Sequence, residues 1–137
     1  MIAFLDTSAL IYLLEGESEL REKVQQRLFQ LSQLEANPEL ALSRLTWLEA
    51  RVGPMKHKNL DLLKSYDAFF ERPDLHWIKL SQNVVELATA IRVRHGLRTP
   101  DALQAASCLQ LREEHRFLTG DTDFLKVAGL HVEHLVS

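Results

Sequence analysis

The chain has 137 residues, 46% hydrophobic and 26% charged, with a formal net charge of −3. That length suits one domain, read here as 1–137, and that balance excludes disorder as the main state. The single Cys108 excludes an internal disulfide and any cysteine-based zinc site, and the acidic balance excludes a chain basic throughout for nucleic acid.

Taken in order, Met1 to Leu5 is a short apolar run that stops at Asp6, the pattern of a buried strand. The run is too interrupted by Asp6, and too poor in basic residues, for a signal peptide. No stretch approaches the roughly 18 apolar residues of a membrane span, so the expected location is the cytoplasm. Thr7 or Ser8 is expected to cap a short helix over Ala9–Leu14, broken at Gly16. Leu20, Val24, Leu28, Leu31 and Leu34 then recur at helical spacing, with Asn37-Pro38 as the stop. Leu40–Leu42 predicts a strand. A helix with Trp47, Leu48 and Val52 follows, ended or kinked at Gly53-Pro54.

A helical stripe runs from Leu60 to Phe70, a turn falls at Arg72-Pro73-Asp74, and His76–Leu80 alternates as a strand would. The next helix carries Val84, Leu87, Ala88 and Ile91 and ends near Gly96. Thr99-Pro100 predicts a helix start, with Thr99 as the cap, for a helix over 101–111. Arg116–Thr119 is strand-like, Gly120–Asp123 a turn, Phe124–Lys126 a short helix and His131–Val136 a last strand. Strands separated by helices imply an α/β domain with a mainly parallel sheet of four to five strands and helices on both sides.

Four acids occupy informative places. Asp6 and Asp121 each follow a strand, with Asp123 two residues on; Glu49 lies in the first turns of a helix and Asp101 near the start of another. Strand C-termini and helix N-termini share one edge of a parallel α/β sheet, where ligand sites gather. Converging carboxylates repel unless protonated or bridged by cations, and oxygen ligands suit Mg²⁺ or Mn²⁺. Such ions can activate a water against a phosphodiester. Each acid also has a structural reading. Asp6 could cap the helix after it, Thr46 and Glu49 match a capping box, Asp101 suits a first helical turn, and Asp121 suits a turn cap. Function rests on the four occurring together.

Four segments carry a resemblance: Leu5-Asp6-Thr7-Ser8-Ala9-Leu10, Leu45-Thr46-Trp47-Leu48-Glu49-Ala50, Arg98-Thr99-Pro100-Asp101-Ala102-Leu103-Gln104-Ala105-Ala106, and Leu118-Thr119-Gly120-Asp121-Thr122-Asp123-Phe124. In this order and spacing the chain resembles PIN-domain proteins, and its size matches the VapC-type toxins of toxin–antitoxin pairs. The resemblance implies a Mg²⁺- or Mn²⁺-dependent endoribonuclease with Asp6, Glu49, Asp101 and Asp121 as its acidic pocket. It implies Asp6, Asp101, Asp121 and Asp123 as metal ligands and Thr7, Ser8 and Thr119 as supporting hydroxyls. It also implies an RNA substrate, products with 5′-phosphate and 3′-hydroxyl ends, a homodimer, and inhibition by a cognate antitoxin that places a basic side chain near the acids. Gly120 stands where Asn or Ala is often seen, and Lys56-His57-Lys58 has no counterpart in the family pattern.

Arg92, Arg94 and Arg98, with His95, could form a phosphate-binding rim beside Asp101, or simply a solvated helix end. The six histidines are scattered, which argues against metal-free histidine catalysis. Trp47, Trp77, Phe69 and Phe70 are expected in the core or an interface, and Cys108 as a small buried side chain. The alternatives are a PIN nuclease of RNA processing, or a PIN-like binding module without activity.

Overall fold

Five parallel strands and six helices build the domain, seen in a computed structural model that describes residues 1–34 and 39–135. The strands are β1 (Ile2–Leu5), β2 (Glu39–Ser43), β3 (Leu75–Ile78), β4 (His115–Thr119) and β5 (Val132–His134), in the spatial order β3-β2-β1-β4-β5. The helices are α1 (Thr7–Glu15), α2 (Ser18–Leu34), α3 (Arg44–Lys56), α4 (Leu60–Phe70), α5 (Gln82–His95) and α6 (Thr99–Cys108). A 3₁₀ turn, Thr122–Lys126, lies between β4 and β5.

β1 is apolar along its whole length because it is central and covered on both faces. Its side chains divide by the strand period of two. Ile2 and Phe4 join Phe117, Phe124, Ile91 and Ala105 in one core; Ala3 and Leu5 join Leu10, Val24, Leu42, Leu118 and Tyr66 in the other. Phe4 stacks on Phe117, with ring centroids 5.3 Å apart. β1 pairs Phe4 with Ala41 on β2 and Leu5 with Leu118 on β4. The chain winds outward from β1 through β2 to β3, then returns to place β4 on the other side. The C-terminal edge between β1 and β4 is therefore the topological switch point, where open α/β sheets bind ligands.

Several element ends differ from expectation. Of the caps offered for α1, Asp6 takes the role rather than Thr7 or Ser8, and α1 starts at Thr7. Ser43 caps α3 by accepting from the Leu45 N–H, so the Thr46–Glu49 capping box does not form. α3 also continues through Gly53-Pro54 to Lys56. Proline forgoes one helical hydrogen bond, and the buried Pro54 ring offsets part of that loss. The helix stops at His57 and Lys58, the latter in the left-handed region at φ 53°.

Arg98 occupies the cap of α6 without a side-chain bond, putting Thr99 and Pro100 in the first two helical positions; the helix ends at Cys108 rather than at 111. The last strand is Val132–His134, with His131 before it, and β3 starts at Leu75. Asn37-Pro38 and Val136 lie outside the described residues. Gly96 closes α5 at φ 71°, a left-handed position that suits glycine.

Trp47 is exposed on α3 rather than packed in a core, whereas Phe69 and Phe70 are buried as expected and Trp77 packs against them. Cys108 is buried, and burial pushes its thiol pKa up, away from nucleophilic use.

Candidate metal-dependent active site

A cleft of about 170 Å³ opens at the switch point, lined by Asp6, Thr7, Ser8, Glu49, Arg98, Asp101, Gln104, Asp121 and Phe124. These residues come from the ends of β1 and β4, from α1 and α3, from the start of α6 and from the 3₁₀ turn.

Asp6 is the most constrained. It is 4% exposed. One carboxylate oxygen accepts from the Ala9 N–H at 2.9 Å and the Ser8 hydroxyl at 2.6 Å; the other accepts from the Thr119 hydroxyl at 2.5 Å. Burial outweighs these bonds and raises its pKa from 3.8 to about 6, with the nearby Asp101 adding to the rise. The donors are themselves held. Ser8 Oγ accepts from the Gly120 N–H and Thr119 Oγ1 from the Asp121 N–H, both at 3.0 Å. The three expected supporting hydroxyls thus divide between two tasks. Ser8 and Thr119 fix Asp6 to the β4 exit, while Thr7 Oγ1 donates to Glu49 Oε1 at 2.7 Å.

Asp101 lies at the third position of α6, with Arg98 3.5 Å away. Burial raises its pKa; Arg98 opposes that, and the charges of Asp121 and Glu49 add to it. The four acids of separate segments therefore share one electrostatic environment. Asp121 caps the 3₁₀ turn by accepting from the Asp123 N–H at 2.9 Å, and Phe124, three residues after Asp121, is buried against Phe117. Asp123 is exposed and outside the cleft lining. Gly120 lets Tyr12 pack closely, since a Cβ there would stand 2.3 Å from the Tyr12 hydroxyl and the ring would have to move.

Of the basic rim, Arg98 alone lines the cleft. Arg92 donates to the Thr99 hydroxyl, and Arg94 lines a different cavity with His95 and Leu109.

Gln104 was not singled out from the sequence as a site residue. It is 3% exposed, and its amide nitrogen lies 2.9 Å from Thr46 Oγ1, 3.0 Å from Thr7 Oγ1 and 3.2 Å from Glu49 Oε1. Its carbonyl oxygen is buried without a hydrogen-bond partner. The available signals are its place in the family-like segment Arg98–Ala106 and its spacing, three residues after Asp101 and so on the same helix face. Gln104→Leu is expected to leave the Glu49 carboxylate held by Thr7 alone and to lower turnover about 10–100-fold, the cost of losing a group that orients a site carboxylate. Turnover of the variant beside wild type checks this; an unchanged rate would remove Gln104 from the site.

The donor set is oxygen only, which fits a hard divalent cation. Among the described residues no three His, Cys, Asp or Glu side chains are grouped so as to hold an ion by themselves.

An all-parallel sheet with carboxylates converging at its switch point defines an acidic-site α/β protein. The PIN domain family model matches residues 3–130, and the chain belongs to that family. A comparison with curated proteins gives no match. Among solved structures, a toxin–antitoxin complex from Klebsiella pneumoniae is similar at 27% identity, covering 93% of this chain and 94% of that one, with a TM-score of 0.70. VapBC2 from Rickettsia felis, bound to a DNA fragment from its promoter, is similar at 20% identity, 98% coverage of each chain and a TM-score of 0.77. VapBC-1 from nontypeable Haemophilus influenzae matches at 19% identity, 98% coverage of each and 0.73. The last two likenesses show the fold.

Proposed function

We propose that this chain is a divalent-metal-dependent endoribonuclease that acts as the toxin of a toxin–antitoxin pair. The observation that carries the nuclease reading is the convergence of Asp6, Glu49, Asp101 and Asp121 on one cleft. The toxin reading is supported by domain size and by the likeness to the Klebsiella pneumoniae complex. It brings with it a cognate antitoxin, a homodimer and a cytoplasmic site of action; no helix among the described residues is long and apolar enough to cross a membrane.

Asp6, Asp101 and Asp121, with Asp123 assisting, would hold Mg²⁺ or Mn²⁺, which supplies activation of water and neutralisation of phosphate charge when bound. The chain's own groups do the rest. Asp6 is fixed in orientation by Ser8, Thr119 and the Ala9 N–H. Glu49 is held by Thr7 and Gln104, both of which donate to its Oε1 and leave Oε2 to a group in the cleft. Arg98, 83% exposed in its side chain, can turn from Asp101 to a substrate phosphate. Attack by water rather than by the ribose 2′-oxygen leaves 5′-phosphate and 3′-hydroxyl ends.

The test is cleavage of a mixed RNA pool by partner-free protein with Mg²⁺, with Mn²⁺ and with EDTA. The expected result is cleavage that needs the metal, yields 5′-phosphate ends and disappears in Asp101→Asn. Cleavage that persists in EDTA would overturn the mechanism.

A further inference from the structure

A second cleft, of about 420 Å³, lies between α3, α4 and β3, lined in part by Arg44, Trp47, Arg51, Asp67, Glu71 and Trp77. Arg44, Trp47 and Arg51 share a face of α3 at spacings of three and four. Glu49 points from the opposite flank, with the buried Thr46 and Ala50 between. One helix therefore borders both the acidic cleft and this one.

The second cleft is built from two cation–aromatic stacks. The Arg44 guanidinium lies 4.2 Å from the Trp77 ring centroid, and that of Arg51 lies 4.6 Å from Trp47. Arg51 is neutralised by an ion pair with Asp67, and its Nε is buried without a partner. Neither Arg44 nor Glu71 has an ion-pair partner among the described residues. The cleft thus offers two guanidinium planes laid over indole rings, one of them without an ion-pair partner, and one carboxylate without one.

This combination narrows the occupant. Four of the seven lining residues are charged, unlike the charge-depleted centre of a protein interface. Two arginines facing two acids leave no net charge to favour a bare phosphate. An unstacked base fits, because bases stack on aromatic and guanidinium planes and present hydrogen-bonding edges. Guanine fits best. Its O6 and N7 accept from an arginine fork, whereas adenine sets a donor beside N7. Its N1–H and N2–H donate to a carboxylate.

We propose that this cleft binds a guanine base of single-stranded RNA away from the cleavage cleft and so selects which RNA is cut. The proposal rests on the RNA-cleaving reading and names a determinant of its specificity.

Trp47 and Trp77 are the only two tryptophans in the chain, and both line the cleft, so intrinsic fluorescence reports its occupancy. The full chain is titrated in EDTA with the ribonucleotide hexamers UUUGUU, UUUAUU and UUUUUU. The guanosine hexamer is expected to quench emission and bind roughly tenfold or more tightly than the other two. Arg44→Gln and Glu71→Gln are each expected to level the three. Equal affinities in wild type, absence of quenching, or a preference that survives both variants would overturn the proposal. So would a change of emission that follows protein concentration instead of RNA, which would mean that a second copy covers the cleft. Because the titration reads binding without cleavage, the two readings fail separately. A guanine preference without nuclease activity would sink the nuclease reading and leave a guanine site that selects no cut, and cleavage without the preference would sink only this one.

Discussion

Asp6→Asn is expected to abolish cleavage and, without metal, to make the protein more stable above pH 6. The folded carboxyl titrates near 6 against an ordinary 3.8. A group whose pKa is raised on folding contributes stability fully below its unfolded value, and that contribution is lost as pH rises through the folded one. Metal-free wild type should therefore weaken between about pH 4 and pH 6, by up to roughly 3 kcal/mol for a gap of that size. Asparagine keeps the shape and one acceptor but never ionises, so it escapes that loss. Part of the gain is offset because its amide nitrogen no longer accepts from Thr119. Thermal melts of both proteins in EDTA from pH 4 to pH 8 check this. The curves should meet near pH 4 and separate above pH 6, with the variant higher. Adding divalent ion at about 100 times its Kd should stabilise wild type by about 2.7 kcal/mol and leave the variant unchanged. Activity should fall by more than about 100-fold, since losing even a group that merely orients a ligand can cost that much. A variant less stable than wild type at pH 8 would show that the three hydrogen bonds outweigh burial.

Phe124→Ala should be the most destabilising of the substitutions considered. The ring is 1% exposed, packs on Phe117 with centroids 4.7 Å apart, and also borders the acidic cleft. Truncating a buried Phe to Ala costs about 3–5 kcal/mol, which for a domain this size lowers Tm by on the order of 10 °C. The same ring anchors the 3₁₀ turn that Asp121 caps. Below its lowered Tm the variant should still fold, yet cleave more slowly because Asp121 loses its support. Phe124→Leu should recover most of both. Denaturant melts and rates at a temperature where all three proteins are folded check the link; full activity in a folded Phe124→Ala protein would break it.

Much of this architecture was legible in the sequence because the informative signals are local. The run ending at Asp6 is apolar throughout since both faces of β1 are covered, and Gly96 marks a left-handed helix end. The segments bearing Asp6, Glu49, Asp101 and Asp121 carry their family pattern in contiguous residues, and the fold brings those four acids to one cleft. Helix starts were less legible. Ser43 and Thr46 are both good caps by local chemistry. Ser43 takes that role, while Thr46 is buried and bonds Thr7 and Gln104 across helices, a demand that exists only after packing. Pro54 misleads for a related reason: its burial lets α3 run past a residue that ordinarily ends a helix. Arg92, Arg94 and Arg98 are neighbours in sequence, but α5 ends between them and turns Arg94 toward another cavity.

The bond from Thr119 to Asp6 joins residues 113 apart, and β1 gains its second neighbour only when β4 arrives. During synthesis Asp6 leaves the ribosome first and then waits for most of the chain. At about 5–20 residues per second that delay is roughly 5–25 s. Throughout it the carboxylates of Asp6 and Asp121 cannot face each other, because the strand that delivers Asp121 has not been made. Chemistry that needs both acids is switched off by chain order until that strand has been made and paired with β1.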